Sequence, residues 1–122
     1  MKIGVTSTGE DLYTNVDQRF GRCKYFLIVD VESMEFEVLS NENAMASGGA
    51  GIQTAQTIAN KGVEAVVTGN IGPNAFQTLS AADIKVFTGA SGTIKEAVEK
   101  YKKGELNETE APNVGSHSGI RR

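Results

Sequence analysis

The sequence predicts an α/β fold built on a mixed five-stranded sheet, and three observations carry that prediction. Residues 1–40 contain three strand-like runs separated by polar stretches. From residue 47 the pattern changes to glycine turn, helical spacing and short apolar run, and then repeats. The chain closes on a capped amphipathic segment before residue 104. Three consecutive strands read as an antiparallel meander, and the alternating helices and strands that follow require parallel pairing through right-handed crossovers.

Each element has its own signal. "KIGVTS" (β1, Lys2–Ser7) alternates apolar and polar residues and includes β-branched Val5 and Thr6. A polar stretch runs from Thr8 to about Arg22. "KYFLIVDV" (β2, Lys24–Val31) is a continuous apolar run, "ESM" a tight turn, and "EFEVLS" (β3, Glu35–Ser40) alternates as a half-exposed strand does. Beyond "SGGAG", a helix beginning at Gly51 (α1) sets Ile52, Ala55, Ile58 and Ala59 on one face, and Gly62 stands where a helix C-cap glycine would. Ala65–Thr68 is a buried strand, β4. "GPNAFQTLSAAD" is a helix (α2, Gly72–Asp83) with Pro73 in its first turn. "IKVFTG" is a strand (β5, Ile84–Gly89). "SGTIKEAVEKYKKGEL" (Ser91–Leu106) holds a helix, α3, with Ser91 or Thr93 as N-cap, Glu96 three residues after Thr93, and Gly104 beyond its end. The order is therefore β1-β2-β3-α1-β4-α2-β5-α3. Residues 1–104 read as one domain, and 105–122, almost without apolar residues, as a disordered tail.

Composition narrows the function classes. A chain of 122 residues with 39% hydrophobic content can bury a core without a structural metal. One cysteine cannot form an intramolecular disulfide, the N-terminus reads as a strand rather than a signal peptide, and no apolar run spans a bilayer. A cytoplasmic location and no membrane association are expected. A net charge of −3, with no basic stripe among aromatics, argues against nucleic acid as a partner.

The topology gathers the conspicuous loops at one edge, outside the carboxyl ends of β1, β3, β4 and β5, where open α/β sheets bind ligands. Helices starting near Gly51, Pro73 and Thr93 turn their positive ends toward it. Ser47, Gly48, Gly49 and Gly51 in one turn, and Gly69, Asn70, Gly72 and Asn74 in another, form the expected cradle. No Gly-Lys-Ser/Thr follows these glycines, and the spacing is not that of a dinucleotide fold. The single histidine, His117, lies in the tail, so no Cys–His pair is evident and no catalytic residue is assigned. Cys23 opens β2 between Arg19, Arg22 and Lys24. Cations this close favour thiolate, a ligand for soft metals, whereas the plainer reading is a half-buried thiol at a strand start. One thiolate cannot complete a zinc or four-cysteine site. A metal held here must bring its other ligands or share a cysteine from a second subunit, as in a homodimer.

The stretches "VDQRFGRCKYFLIVDVE", "GGAGIQTAQTIANKGVEAVVTGNIGPNAFQTLSAADIKVF" and "GTIKEAVEKYKKGEL" together resemble the dinitrogenase iron–molybdenum cofactor biosynthesis family, which takes in NifX, NafY and the C-terminal domain of NifB. The likeness covers residues 1–106. It implies a ribonuclease-H-like fold without nuclease activity, and non-enzymatic binding or carriage of iron–sulfur or iron–molybdenum-type metal-sulfide clusters. Some relatives are similar carriers of molybdenum–copper sulfide clusters. Cofactor-assembly or acceptor proteins are the implied partners. Family members often carry histidine between "DQ" and "FG"; here that position is Arg19, which moves the ligand role to Cys23, with Arg19 and Arg22 neutralising charge. The second reading is a regulatory module that binds an anion, phosphometabolite or nucleotide at the same helix N-termini. A third is an interaction domain acting on a partner enzyme.

Overall fold

A computed structural model describes residues 1–41 and 50–110 of the chain. Its elements are β1 (Lys2–Ser7), β2 (Tyr25–Asp30), β3 (Phe36–Ser40), α1 (Ala50–Ala59), β4 (Ala65–Val67), α2 (Pro73–Ala81), β5 (Lys85–Phe87) and α3 (Ile94–Lys102). The sheet order is β3-β2-β1-β4-β5. β1 pairs antiparallel with β2, which pairs antiparallel with β3, while β4 and β5 run parallel to β1. The meander and the two parallel additions follow the sequence expectation, with strand ends trimmed by one or two residues.

The continuous apolar run of β2 is explained by burial on both faces. Phe26 and Ile28 meet Ala55, Ile58, Ala75 and Leu79 from α1 and α2, whereas Leu27 and Val29 join Ile94, Ala97 and Val98 of α3. β1 follows the same two-fold alternation, with Ile3 and Val5 toward α3 and Gly4 beneath α1. An added Cβ at Gly4 would lie 3.5 Å from both Ile28 and Ile58, an ordinary packing distance, which places this position in direct contact with α1.

Of the two N-cap candidates for α3, the structure selects Thr93. Its hydroxyl accepts from the Glu96 amide (3.2 Å), and the Glu96 carboxylate accepts from the Thr93 amide (2.9 Å). These reciprocal bonds hold the Glu96 carboxyl below its usual range. Thr93→Ala is expected to lower stability by about 1 kcal/mol, read from the denaturation midpoint, because it deletes a helix N-cap.

The expected tail needs correction at its start. Leu106 packs against the α3-side core, Glu108 bridges Phe87, and the Thr109 amide donates to the Val86 carbonyl (2.7 Å). The Thr109 hydroxyl accepts from the Thr88 amide (3.0 Å). The physical reason is the exposed edge of β5, whose open hydrogen-bonding groups the returning chain satisfies. Residues 111–122, with His117, lie outside the described residues. Among the described residues no helix is long and apolar enough to cross a membrane.

Candidate functional site

The first loop is polar in sequence, yet part of it is strapped across the carboxyl edge of the sheet. The Asp17 amide donates to the Thr6 carbonyl (2.9 Å), and the Thr6 hydroxyl donates to the Asp17 carbonyl (2.6 Å). The Gln18 carboxamide donates to the Ala90 carbonyl (3.0 Å). Asn70, just past β4, donates through its side chain to the Gln18 carbonyl (3.0 Å) and accepts from the Phe20 amide (3.2 Å). One short segment thus links the ends of β1, β4 and β5.

This strap forms one wall of a cavity of about 360 Å³. The N-terminal ends of α1 and α2 form the rest. Phe20, Ile71 and Ala75 are buried lining residues and make an apolar floor, while Arg19 and Asn74 stand exposed at the rim. Gly72 precedes α2 in an extended conformation with no side-chain cap, and Pro73 follows as the first helical residue. The first amides of α2 therefore receive no capping oxygen from Gly72, and the helix dipole adds positive potential there. Gly51 faces Ala75 where the two helix ends meet, a Cβ at this position lying 3.4 Å from that of Ala75. The Arg19 Nε is 3.8 Å from the Asp17 carboxylate, and its side chain is 69% exposed.

The sequence-derived site residues separate into groups. Arg19, Gly51, Asn70, Gly72 and Asn74 all line the cavity. Gly69 stands behind it, packed against Gln18. Arg22 is exposed and is not part of the lining. Ser47, Gly48 and Gly49 lie outside the described residues. Phe20 and Ile71 were missed as lining residues, although each is the lone apolar side chain within its polar or glycine-rich motif, "DQRFG" and "GNIGPN".

Cys23 requires a correction. The expected accessible, low-pKa thiolate is absent: Cys23 is 0% exposed in the cluster that holds Phe20, Phe26, Ala55 and Ile71. Its Sγ donates to the Phe20 carbonyl (3.3 Å). Burial, and secondarily the Asp17 carboxylate, push the thiol up to about 12. The loop turns Phe20 and Cys23 inward and leaves Arg19, Arg22 and Lys24 in water. Screening there blunts the three cations, and desolvation of the sulfur dominates. Among the described residues, no three or more His, Cys, Asp or Glu side chains come together to hold a metal ion.

Fold and edge define the class: a small α/β protein with a cavity at the carboxyl ends of its parallel strands. The chain belongs to the dinitrogenase iron–molybdenum cofactor family, which it matches over residues 1–104. It is similar to the orange protein of Desulfovibrio gigas, solved in its apo form, with a TM-score of 0.89 and 39% identity over 92% of this chain and 95% of that one. A Thermotoga protein provisionally described as a NifB protein of the DUF35 family gives a TM-score of 0.77 and 41% identity over 88% and 91%. An uncharacterized protein of Methanocaldococcus jannaschii is 34% identical over 94 residues, covering 75% of this chain and 80% of that one.

Proposed function

We propose that the protein carries a preformed anionic metal–sulfide cluster, of the iron–sulfur or iron/molybdenum–sulfide class, for cofactor assembly or storage, and catalyses no reaction. The observation that carries this reading is the cavity itself. Residues of both motif loops converge on a recess with an apolar floor, a cationic rim residue and the uncapped start of α2. A cluster that arrives with its sulfides in place needs no ligand set from the protein. It needs N–H donors, positive potential and apolar surface suited to soft, weakly hydrated sulfur. Family membership and the likeness to a protein known in an apo form, a state defined against one with a bound group, support the same reading. The strand order supports a ribonuclease-H-like sheet. Cofactor-assembly and acceptor proteins would deliver and receive the cargo in the cytoplasm.

In this reading Cys23 lies beneath the cradle and holds the floor, and the cargo is bound through the rim and backbone. The test is anaerobic incubation with tetrathiomolybdate, or with iron and sulfide, followed by desalting and a scan for charge-transfer absorption. Wild type and Cys23→Ala should both retain colour. Arg19→Ala should bind about tenfold more weakly, the loss of an exposed charge-assisted contact. Colour lost only in Cys23→Ala would return the ligand role to the thiolate, and none in the wild type would overturn the carrier reading. The uncapped start of α2 equally suits phosphate. Thermal stabilisation by phosphorylated metabolites, with none by thiomolybdate, would favour a regulatory anion-binding module instead.

A further inference from the structure

We infer that Asn41 is a positioning residue for the cradle: its single carboxamide ties the loop of residues 19–23 to helix α1 and so sets the spacing between two walls of the cavity. Asn41 follows β3, and its backbone amide donates to the Lys24 carbonyl (3.0 Å), which fixes it opposite the start of β2. Its Nδ2 donates to the carbonyls of Gly21 (3.2 Å) and Cys23 (2.8 Å) and lies 3.8 Å from the Cys23 Sγ. Its carboxamide oxygen accepts from the Thr54 hydroxyl at 3.2 Å. Thr54 is 1% exposed. Gly21 belongs to one wall of the cavity, and Gly51 and Ile52, in the turn before Thr54, belong to another.

The chemistry of the group explains the choice of residue. Two carbonyls and one hydroxyl donor need two N–H donors and one acceptor on a short stem, which is what an asparagine side chain offers. Aspartate keeps the acceptor for Thr54 but repels both carbonyls. Alanine leaves all three groups without this partner, which favours opening of the loop to water. Asn41 touches the walls from behind and is not itself a lining residue of this cavity. The inference rests on the carrier reading for what the cavity holds, but not for the geometry that Asn41 maintains.

Because Cys23 is the chain's only cysteine, its native-state reaction with a maleimide reports opening of the 19–23 loop with no ligand present. The wild type should react slowly. Asn41→Ala and Asn41→Asp should each react at least tenfold faster, and Thr54→Val, which removes one leg of the tie, by a smaller factor. Val98→Ala is the comparator, since it thins the core on the opposite face under α3. At equal loss of Tm it should speed labelling far less than Asn41→Asp does. Labelling of the Asn41 variants at the wild-type rate would overturn the inference. So would equal acceleration by Val98→Ala, which would show that exposure follows global stability alone. Should Asn41→Ala fail to fold, Asn41→Asp and Thr54→Val decide the matter. With tetrathiomolybdate as probe, Asn41→Asp should also weaken binding at least tenfold. A wild type that binds none sinks the carrier reading and leaves the labelling result to decide the role of Asn41.

Discussion

Gly69→Val is expected to destabilise the fold by about 3 kcal/mol and to abolish retention of thiomolybdate, the signature of overpacking against backbone that cannot yield. Gly69 is buried, with Thr68 between it and the end of β4. A Cβ there would lie 2.7 Å from the Gln18 Cα and collide with the Gln18 carboxamide. A flexible side chain could swing aside, but a Cα cannot move alone. It would carry with it the bonds from Asn70 to the Gln18 carbonyl, from Gln18 to Ala90 and from the Phe20 amide to Asn70. Those bonds hold one wall of the cavity in place, so stability and binding should fall together. Chemical denaturation and the desalting assay read the two effects, with Gly69→Ala falling between. A Gly69→Val protein as stable as the wild type would show that the strap is not packed as described.

The second large effect is a loss of stability at high pH that belongs to Cys23. The thiol has an ordinary value of 9.0 and is raised to about 12 in the fold, first by burial and then by Asp17. Folding therefore favours the protonated thiol. That stability is fully present below pH 9.0 and is lost as pH rises toward about 12. Across the window one proton leaves the unfolded chain that the folded chain keeps, so the folding constant should fall about tenfold per pH unit from this group alone. Tyr101, raised by burial and by its bond to Glu64, acts in the same direction, but equally in any Cys23 variant. Subtracting the Cys23→Ala profile from the wild type isolates the cysteine. Parallel profiles would mean that Cys23 meets water in the folded protein. That outcome would also remove the ground for placing the sulfur beneath the cradle.

Some of this arrangement is legible along the chain and some is not. Strand directions, crossovers and helix starts rest on local chemistry: the alternation in β1 and β3, the proline opening α2, the Thr93–Glu96 pair, the glycine past α1. The rim residues Arg19, Asn70, Gly72 and Asn74 were legible because topology brings their loops to one edge whatever the side chains do. Asn41 was not. An asparagine after a strand is an ordinary turn residue, and its partners Gly21, Cys23 and Thr54 come from the first loop and from α1. Likewise, nothing local announced that Thr109 would close on Thr88.

The chain by itself determined the order and direction of the elements, the family and the edge at which its motifs meet, because periodicity, caps and turns are properties of neighbouring residues. Only the tertiary structure decided which way Cys23 points. Three cations beside a sulfur suggest an activated thiolate, and the sign of the effect depends on whether water reaches the atom. Here it lies, 0% exposed, in a core cluster with Phe20, Phe26, Ala55 and Ile71, drawn from four separate stretches of chain. The energy of a charge in that cluster outweighs the attraction of cations left in solvent.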